Sequence, residues 1–460
     1  MTNETRFPRR RFLRLAAMLA GEVALSMLPG CRPSLGRVDA GTVMPSATHT
    51  ATAAGIASAG ASTGPSATSS LTPLPTDTAA PTATPAPVAV QSTATPKAYL
   101  PHVQRSTLPP PPTSTPTTEP TPTVPAPLGP RVVHVHDQAA TSWTGQTSYW
   151  NYVNQSAVNE MLDEGLMALT GAATVADAWR VLIPNYQAGQ VVAIKANFNN
   201  SDGCDDVDGQ IDGLIQPVNA VVRGLKLIGV PESSICVFDA SRRIPTYFVS
   251  GCLYSGVVFR DSGCRQYASW SSSDPNAYVT FQVPEDLAAP PATRVDDVLI
   301  SSSYLINMPI LKPHRIAGVT LTFKNHFGNI SAPWDLHPYI GIHRDTYRSD
   351  YNPLVDIYRN PHIANKTVLV LADGLFAAHD FEAAPSTWST FGGQLPNSLL
   401  VSTDPVAIDS VMCDLLQAEL GLAERADDYL ALAHQAGLGT YERGDPWSSG
   451  YASIDYARLG

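Results

Sequence analysis

Lys312, His314, Arg315, Lys324 and His326 fall within fifteen residues of the stretch LKPHRIAGVTLTFKNHFGNI. No acid lies between Asp297 and Asp335. Charged residues make up only 15% of the chain, so this is a local concentration of cations in an apolar setting. Lysine ammonium groups suit a phosphate or a carboxylate. Histidine adds a group that ordinarily titrates near neutral pH, which makes His314 the natural acid or base if a reaction occurs. Read as a helix, Gly318 to Phe327 puts Thr320 and Lys324 on one face and Leu321 and Asn325 on the next. Its N-terminus, led in by Lys312 and His314, would then attract an anion.

Further polar residues follow other short apolar runs. Lys195-Ala196-Asn197 follows VVAI, Asp373 follows LVLA, and Asp404, with Asp409 one helical turn on, follows LLVS. The expected site therefore joins Lys195, Asn197, Lys312, His314, Lys324 and Asn325, with Asp373, Asp404 and Asp409 opposite. His314, Lys324 and Asp409 are its candidates for catalytic roles. The competing reading is that Lys312 and Lys324 neutralise Asp373 and Asp409 in a buried polar network.

Two weaker constellations accompany this one. NNSDGCDDVDGQIDG (199–213) carries Asp202, Asp205, Asp206, Asp208 and Asp212. It lacks the ligand spacing of an EF-hand and reads as a solvated acidic loop on the rim of the same cleft. His337 and His343, with Asp335 and Asp345 beside them, have loose transition-metal spacing, and hydrogen bonding within a loop is the commoner use of such residues. No complete ligand set is visible, so a divalent metal is left open. No Gly-x-Ser-x-Gly, Walker or Gly-x-Gly-x-x-Gly element occurs.

These residues need a scaffold. VVHVH (132–136), VVAIKA (191–196), ICVFD (235–239), VLISSSYLIN (298–307), TVLVLAD (367–373) and SLLVS (398–402) read as buried strands. Helical spacing runs through 156–171, 213–230 and 404–421, the last with Asp404 as N-cap, Pro405 in the first turn and Gly421 as stop. Alternating strands and helices predict an α/β fold, a mostly parallel sheet with helices on both faces. Residues 240–296, rich in Ser, Gly, Tyr and Asp, read as an irregular or β insertion. In such sheets ligands bind beyond the carboxyl ends of strands, where the Lys, Asn, His and Asp residues above would converge.

The segments IKANF, NMPILKPHRIAGVTLTFKNHFGNI, ADGL and VSTDPVAIDSV resemble the domain-of-unknown-function 362 family (DUF 362) across most of 190–415. Members typically carry Lys-Pro-Asn after an early strand, and here Ala196 replaces the Pro. The family's Lys-x-His, Gly-Val-Thr, Lys-Asn-x-x-Gly and Asp-Pro-x-Ala-x-Asp elements correspond to Lys312–His314, Gly318–Thr320, Lys324–Gly328 and Asp404–Asp409. The resemblance brings no settled activity. Many relatives carry a ferredoxin-like iron–sulfur module, which implies redox work, but this chain has no Cys-x-x-Cys and so no iron–sulfur motif.

The first 31 residues read as an address. Arg9-Arg10-Arg11-Phe12-Leu13-Arg14 fits the twin-arginine export pattern. A broken apolar run then leads to Leu28-Pro29-Gly30-Cys31, which resembles a lipoprotein cleavage box with Cys31 as the lipidated residue. An ordinary signal peptide is the alternative. Residues 32–130 are Ser/Thr/Pro/Ala-rich and read as a disordered tether, interrupted by KAYLPHVQRS (97–106). The expected partners are the twin-arginine export machinery, the membrane through Cys31 and an anionic small molecule. The expected location is the outer face of the cytoplasmic membrane.

The remaining 131–460 form the expected α/β domain. Its 20 basic and 35 acidic residues give about −15, which argues against nucleic acid as a partner. Of its cysteines, Cys252 and Cys264 bracket a short loop and are the expected disulfide, and Cys413 reads as a buried thiol. Twin-arginine export carries folded proteins, often with a cofactor inserted, although no particular cofactor can be named. Two functions fit: an enzyme acting on an anionic small molecule, and a non-catalytic surface lipoprotein that captures one.

Overall fold

The strands form where β-branched and apolar residues run together, and their alternation supplies a core on each side of one sheet. The computed structural model describes residues 129–270, 272–341, 344–421 and 426–460. These all fall within one compact unit, Pro111–Gly460. The export segment with Cys31, the tether up to residue 128, and His343 lie outside the described residues.

Nine strands make the main sheet: β1 (Arg131–His136), β2 (Val192–Lys195), β3 (Ile235–Phe238), β4 (Val258–Asp261), β5 (Gln266–Tyr267), β6 (Tyr304–Asn307), β9 (Thr367–Gly374), β10 (Ser398–Ser402) and β11 (Asp455–Leu459). Two further strands, β7 (Lys312–His314) and β8 (Gly318–Thr320), form a separate antiparallel hairpin. The sheet order is β11-β1-β10-β9-β6-β2-β3-β4-β5. Six of its eight pairings are parallel, and β10 supplies both antiparallel ones.

Val133, Val135, Ile194, Val237, Ile306 and Leu371 face a core shared with helices Gln155–Thr170, Val175–Leu182 and Ile215–Leu227. The intervening Val132, Ala193, Phe238, Leu305 and Val370 face helices Pro405–Leu420 and Ala426–Gln435. This is the α/β sheet covered on both faces that the sequence predicts. The helix ends are those the caps specify. Asn154 and Asp404 accept from the first-turn amides, and Gly171 and Gly421 close the C-termini at φ of 70° and 66°.

Three expectations are corrected. Residues 298–307 are not one strand: Asp296 caps a short helix, Asp297–Ser301, before β6 begins. Residues 240–296 are not wholly a separate insertion, since β4 and β5 extend the parallel edge of the main sheet. The disulfide joins Cys204 to Cys264, not Cys252 to Cys264. Cys252 lies just beyond helix Thr246–Ser250, and its thiol donates to the Tyr254 carbonyl. The bond therefore ties the acidic loop to the end of β4. Cys413 is a buried thiol, as expected.

Candidate functional site

The strand order reverses between β6 and β2, and the site lies at the carboxyl ends of the strands around that reversal. Lys195, the last residue of β2, shares a sheet face with Ala193 and is fully buried. Its Nζ donates to Asp239 Oδ2 at 3.0 Å, to Asn325 Oδ1 at 3.2 Å and to the Ala196 carbonyl at 2.5 Å. Burial lowers its basicity and Asp239 opposes that shift. Asp239 follows β3, and its other oxygen accepts the amides of Ser241 and Arg242, both at 3.1 Å. One carboxylate thus holds Lys195 and shapes the turn that presents Arg242. Gly328 packs against this pair: a Cβ there would sit 2.5 Å from Lys195 Nζ and 2.7 Å from Asp239 Oδ1.

Asn325 is the second hub. Its oxygen also accepts from Asn197 Nδ2 at 3.0 Å, and its amide donates to Asn307 Oδ1 at 2.7 Å. Asn307 donates to the Thr322 carbonyl and to His326 Nε2, both at 3.0 Å. His326 Nδ1 meets the Asn329 side-chain amide at 2.8 Å. A neutral imidazole cannot accept at both nitrogens, so Nδ1 carries the hydrogen, and the Asn329 amide, whose nitrogen is the atom placed at 2.8 Å, must turn over to accept it with its oxygen. Burial and Lys195 push the His326 pKa down to about 3. This histidine fixes the fold and does not titrate near neutrality.

The stretch 318–327 is not one helix. Gly318, at φ of 83°, opens β8 after a tight turn, and only Thr322–Asn325 is α-helical. Lys312 and His314 are likewise strand residues, not loop residues. A helix of one turn makes no anion site by its N-terminus. That end is already filled: Asp409 accepts from the Thr322 amide at 2.8 Å, the Phe323 amide at 3.3 Å and Tyr429 Oη at 3.0 Å. Asp409 therefore acts from behind, holding the turn that carries Lys324 and Asn325.

His314 has a single allowed tautomer. The amides of Ile316 and Ala317 both donate to Nδ1 at 3.1 Å, so Nδ1 keeps its lone pair and Nε2 carries the hydrogen. Burial and Lys324 lower its pKa well below 6.5. Protonation would cost both backbone bonds, so this setting opposes titration of His314 near neutral pH.

Asn197, Asn199, Asp239, Arg242, His314, Thr320, Lys324, Asn325, Trp334 and His337 are among the residues lining a cleft of about 520 Å³, its open mouth included. Among the described residues that line it Asp239 is the only acid, and Lys195 already engages that carboxylate. Arg242 stands 5.5 Å over the Trp334 ring and donates to Asn199. Trp334 is exposed at the mouth and stacks on His337, whose pKa burial and Lys324 push down to about 3. Lys324 is 5% exposed, and its Nζ lies 3.7 Å from the Phe327 ring centroid. Among the described residues it has no hydrogen-bond acceptor and no carboxylate partner. Burial, Arg242, Lys195 and Lys312 together lower its pKa well below 10.5, against a weaker pull from Asp239.

Of the residues expected to form the site, Asn197, His314, Lys324 and Asn325 line the cleft, and Lys195 braces it from beneath. Lys312 is buried behind it, donating to the Ile211 and Phe381 carbonyls at 3.3 and 3.4 Å. Asp373, Asp404 and Asp409 do not line it. Asp373 accepts from the Leu214 and Leu375 amides, and Asp404 caps its helix and accepts from Thr440. The residues sequence reasoning passed over are Asp239, Arg242 and Trp334. Asp239 was visible as an acid at a strand end, the signal used for its neighbours.

Three of the acidic loop's carboxylates bond within the loop, and Asp205 accepts from the Thr246 hydroxyl. Asp206 accepts from the Asp202 and Asp208 amides, Asp208 from Gln210, and Asp212 from Asn200. Among the described residues no group of three His, Cys, Asp or Glu side chains is placed to hold a metal ion. His337 stacks within the cleft wall, and its supposed partner His343 lies outside the described residues.

Fold and site together define an open α/β domain with a cationic cleft at the carboxyl edge of its parallel strands. Residues 192–414 match the family described as "Domain of unknown function (DUF362)", and this supports that family for the region carrying the site. No curated protein matches the chain. A solved structure of a protein from Thermotoga maritima is similar at 12% identity, covering 62% of this chain and 59% of that one, with a TM-score of 0.30. The chain thus spans 59% of the length of that protein.

Proposed function

We propose that this is an exported, membrane-tethered DUF362 protein whose cleft binds a small anion. The observation that carries the reading is charge balance: Arg242 lines the cleft, while Asp239, the one acid among the described residues that line it, is already engaged by Lys195. Arg242 supplies a fixed charge with several donors, and His314 adds its Nε2–H.

Calorimetry with inorganic phosphate and with pyruvate tests this reading. Binding is expected to weaken about tenfold or more in Arg242→Gln, with the melting temperature retained. Binding that the substitution leaves unchanged, or none to either anion, sinks the reading.

The proposed address is the outer face of the cytoplasmic membrane, reached through the twin-arginine machinery and held by lipid on Cys31. Arg9→Lys with Arg10→Lys should leave the protein inside the cell. Cys31→Ser should release it from the membrane fraction and abolish palmitate labelling. Membrane retention without Cys31 would refute the lipid anchor.

A further inference from the structure

Lys324 is an unusual amine even for a cationic cleft. It is buried, it points into the cavity, and it has no acceptor or carboxylate among the described residues. The other two buried lysines of the region are anchored: Lys195 by Asp239, Asn325 and a carbonyl, Lys312 by two carbonyls. A lysine meant to bind charge or brace a fold is given partners. A lysine desolvated beside other cations and left without partners is the arrangement that keeps an amine unprotonated. The primary amine also does something that the neighbouring histidines cannot: it forms a stable C=N bond with a carbonyl.

We propose that Lys324 is a nucleophile that forms an imine with a small 2-oxo acid, its carboxylate on Arg242 and its carbonyl oxygen facing the Nε2–H of His314. This rests on the anion-binding reading above and narrows it to one class of anion. The Nζ lone pair forms the C–N bond as the carbonyl π pair moves to oxygen, and an amine proton passes to that oxygen to give a carbinolamine. The hydroxyl then leaves with the second amine proton as water, and C=N remains. One water is released and nothing is oxidised or reduced. His314 suits its part because its tautomer is fixed: it donates from Nε2 and stays neutral, so it polarises the carbonyl without adding a charge that would repel the forming iminium. The Phe327 ring lies against Nζ, and His337, stacked on Trp334, packs against Phe327.

The chain makes the test tractable, since it has only six lysines: Lys97, Lys195, Lys226, Lys312, Lys324 and Lys366. The purified full-length chain is incubated at neutral pH with pyruvate and cyanoborohydride, which reduces an imine to a stable secondary amine. Intact mass and peptide mapping locate the adduct. The expected result is one adduct, at Lys324, formed at least about tenfold faster than at any other lysine. It should be absent in Lys324→Met and slowed in Arg242→Gln with pyruvate but not with hydroxyacetone, which lacks the carboxylate. An adduct at Lys226 formed as fast as one at Lys324, or no adduct at Lys324, overturns the proposal. Mapping in the native chain decides this even if Lys324→Met folds poorly. Phosphate binding by calorimetry separates the two readings: binding retained without an adduct overturns the imine alone, and loss of both overturns the anion site as well.

Discussion

Removing the ammonium of Lys195 tests whether the site is built on a buried ion pair. Lys195→Met keeps most of the stem's packing and deletes three donated hydrogen bonds, to Asp239, Asn325 and the Ala196 carbonyl. Breaking a buried pair from one side costs about 3–5 kcal/mol, because the other charge stays behind without its partner. Asp239 retains the Ser241 and Arg242 amides and the Ser241 hydroxyl, so the low end, about 3 kcal/mol, is expected. For a domain of this size that is a fall of about 5 °C in melting temperature. Asp239→Asn should cost a similar amount by stranding Lys195. The double variant should recover about 1–3 kcal/mol relative to the sum of the singles. Thermal melts of the four chains at one pH supply the cycle. A melting temperature unchanged to within about a degree in Lys195→Met, or additive singles, would show that the pair does not hold the strand ends together.

Three further outcomes follow from the same geometry. Burial raises Asp409 from 3.8 to about 7, so its contribution is full below about pH 4 and is lost as pH rises towards 7. The melting temperature of Asp409→Asn relative to the native chain should therefore become more positive across that window, whatever constant offset the lost acceptor brings. A flat difference would refute this. The ring nitrogens of His314 should show one tautomer, Nε2 protonated, with any titration displaced below the ordinary range; nitrogen NMR showing a midpoint near the ordinary 6.5 would refute it. Reducing Cys204–Cys264, which closes a separation of 60 residues, should destabilise the domain by about 4 kcal/mol, and Cys252→Ser should change little.

Most of the sheet could be read in advance because its information is local. β1, β3, β9 and β10 are short apolar runs, and helices 155–170 and 405–420 announce their ends with Asn154, Gly171, Asp404 and Gly421. The run 298–307 misleads because Val298, Leu299 and Ile300 suit a helix turn as well as a strand, and Asp296 decides for the helix by accepting from the Val298 and Leu299 amides. Gly318–Phe327 misled for a different reason. Apolar spacing there fits a helix, but β8 pairs with a segment four to eight residues earlier, and a hairpin partner does not show in the periodicity of either strand alone.

The site divides along the same line. Lys195, Asn197, His314, Lys324 and Asn325 were found because they follow strands or cluster in sequence. Arg242 was missed because its role depends on two long-range facts: Asp239 shapes its turn, and Trp334, nearly a hundred residues later, stands beneath it. The buried acids show the limit most clearly. Asp373, Asp404 and Asp409 sit at strand and helix ends like the cleft residues, yet each spends its oxygens on backbone amides. A carboxylate at a strand end has the same sequence signature whether it caps a turn or faces a ligand. What separates the two is whether amides fill its oxygens, and for the cations whether acceptors surround the nitrogen. By that criterion Lys195 and Lys312 are held by acceptors, whereas Lys324 has none among the described residues.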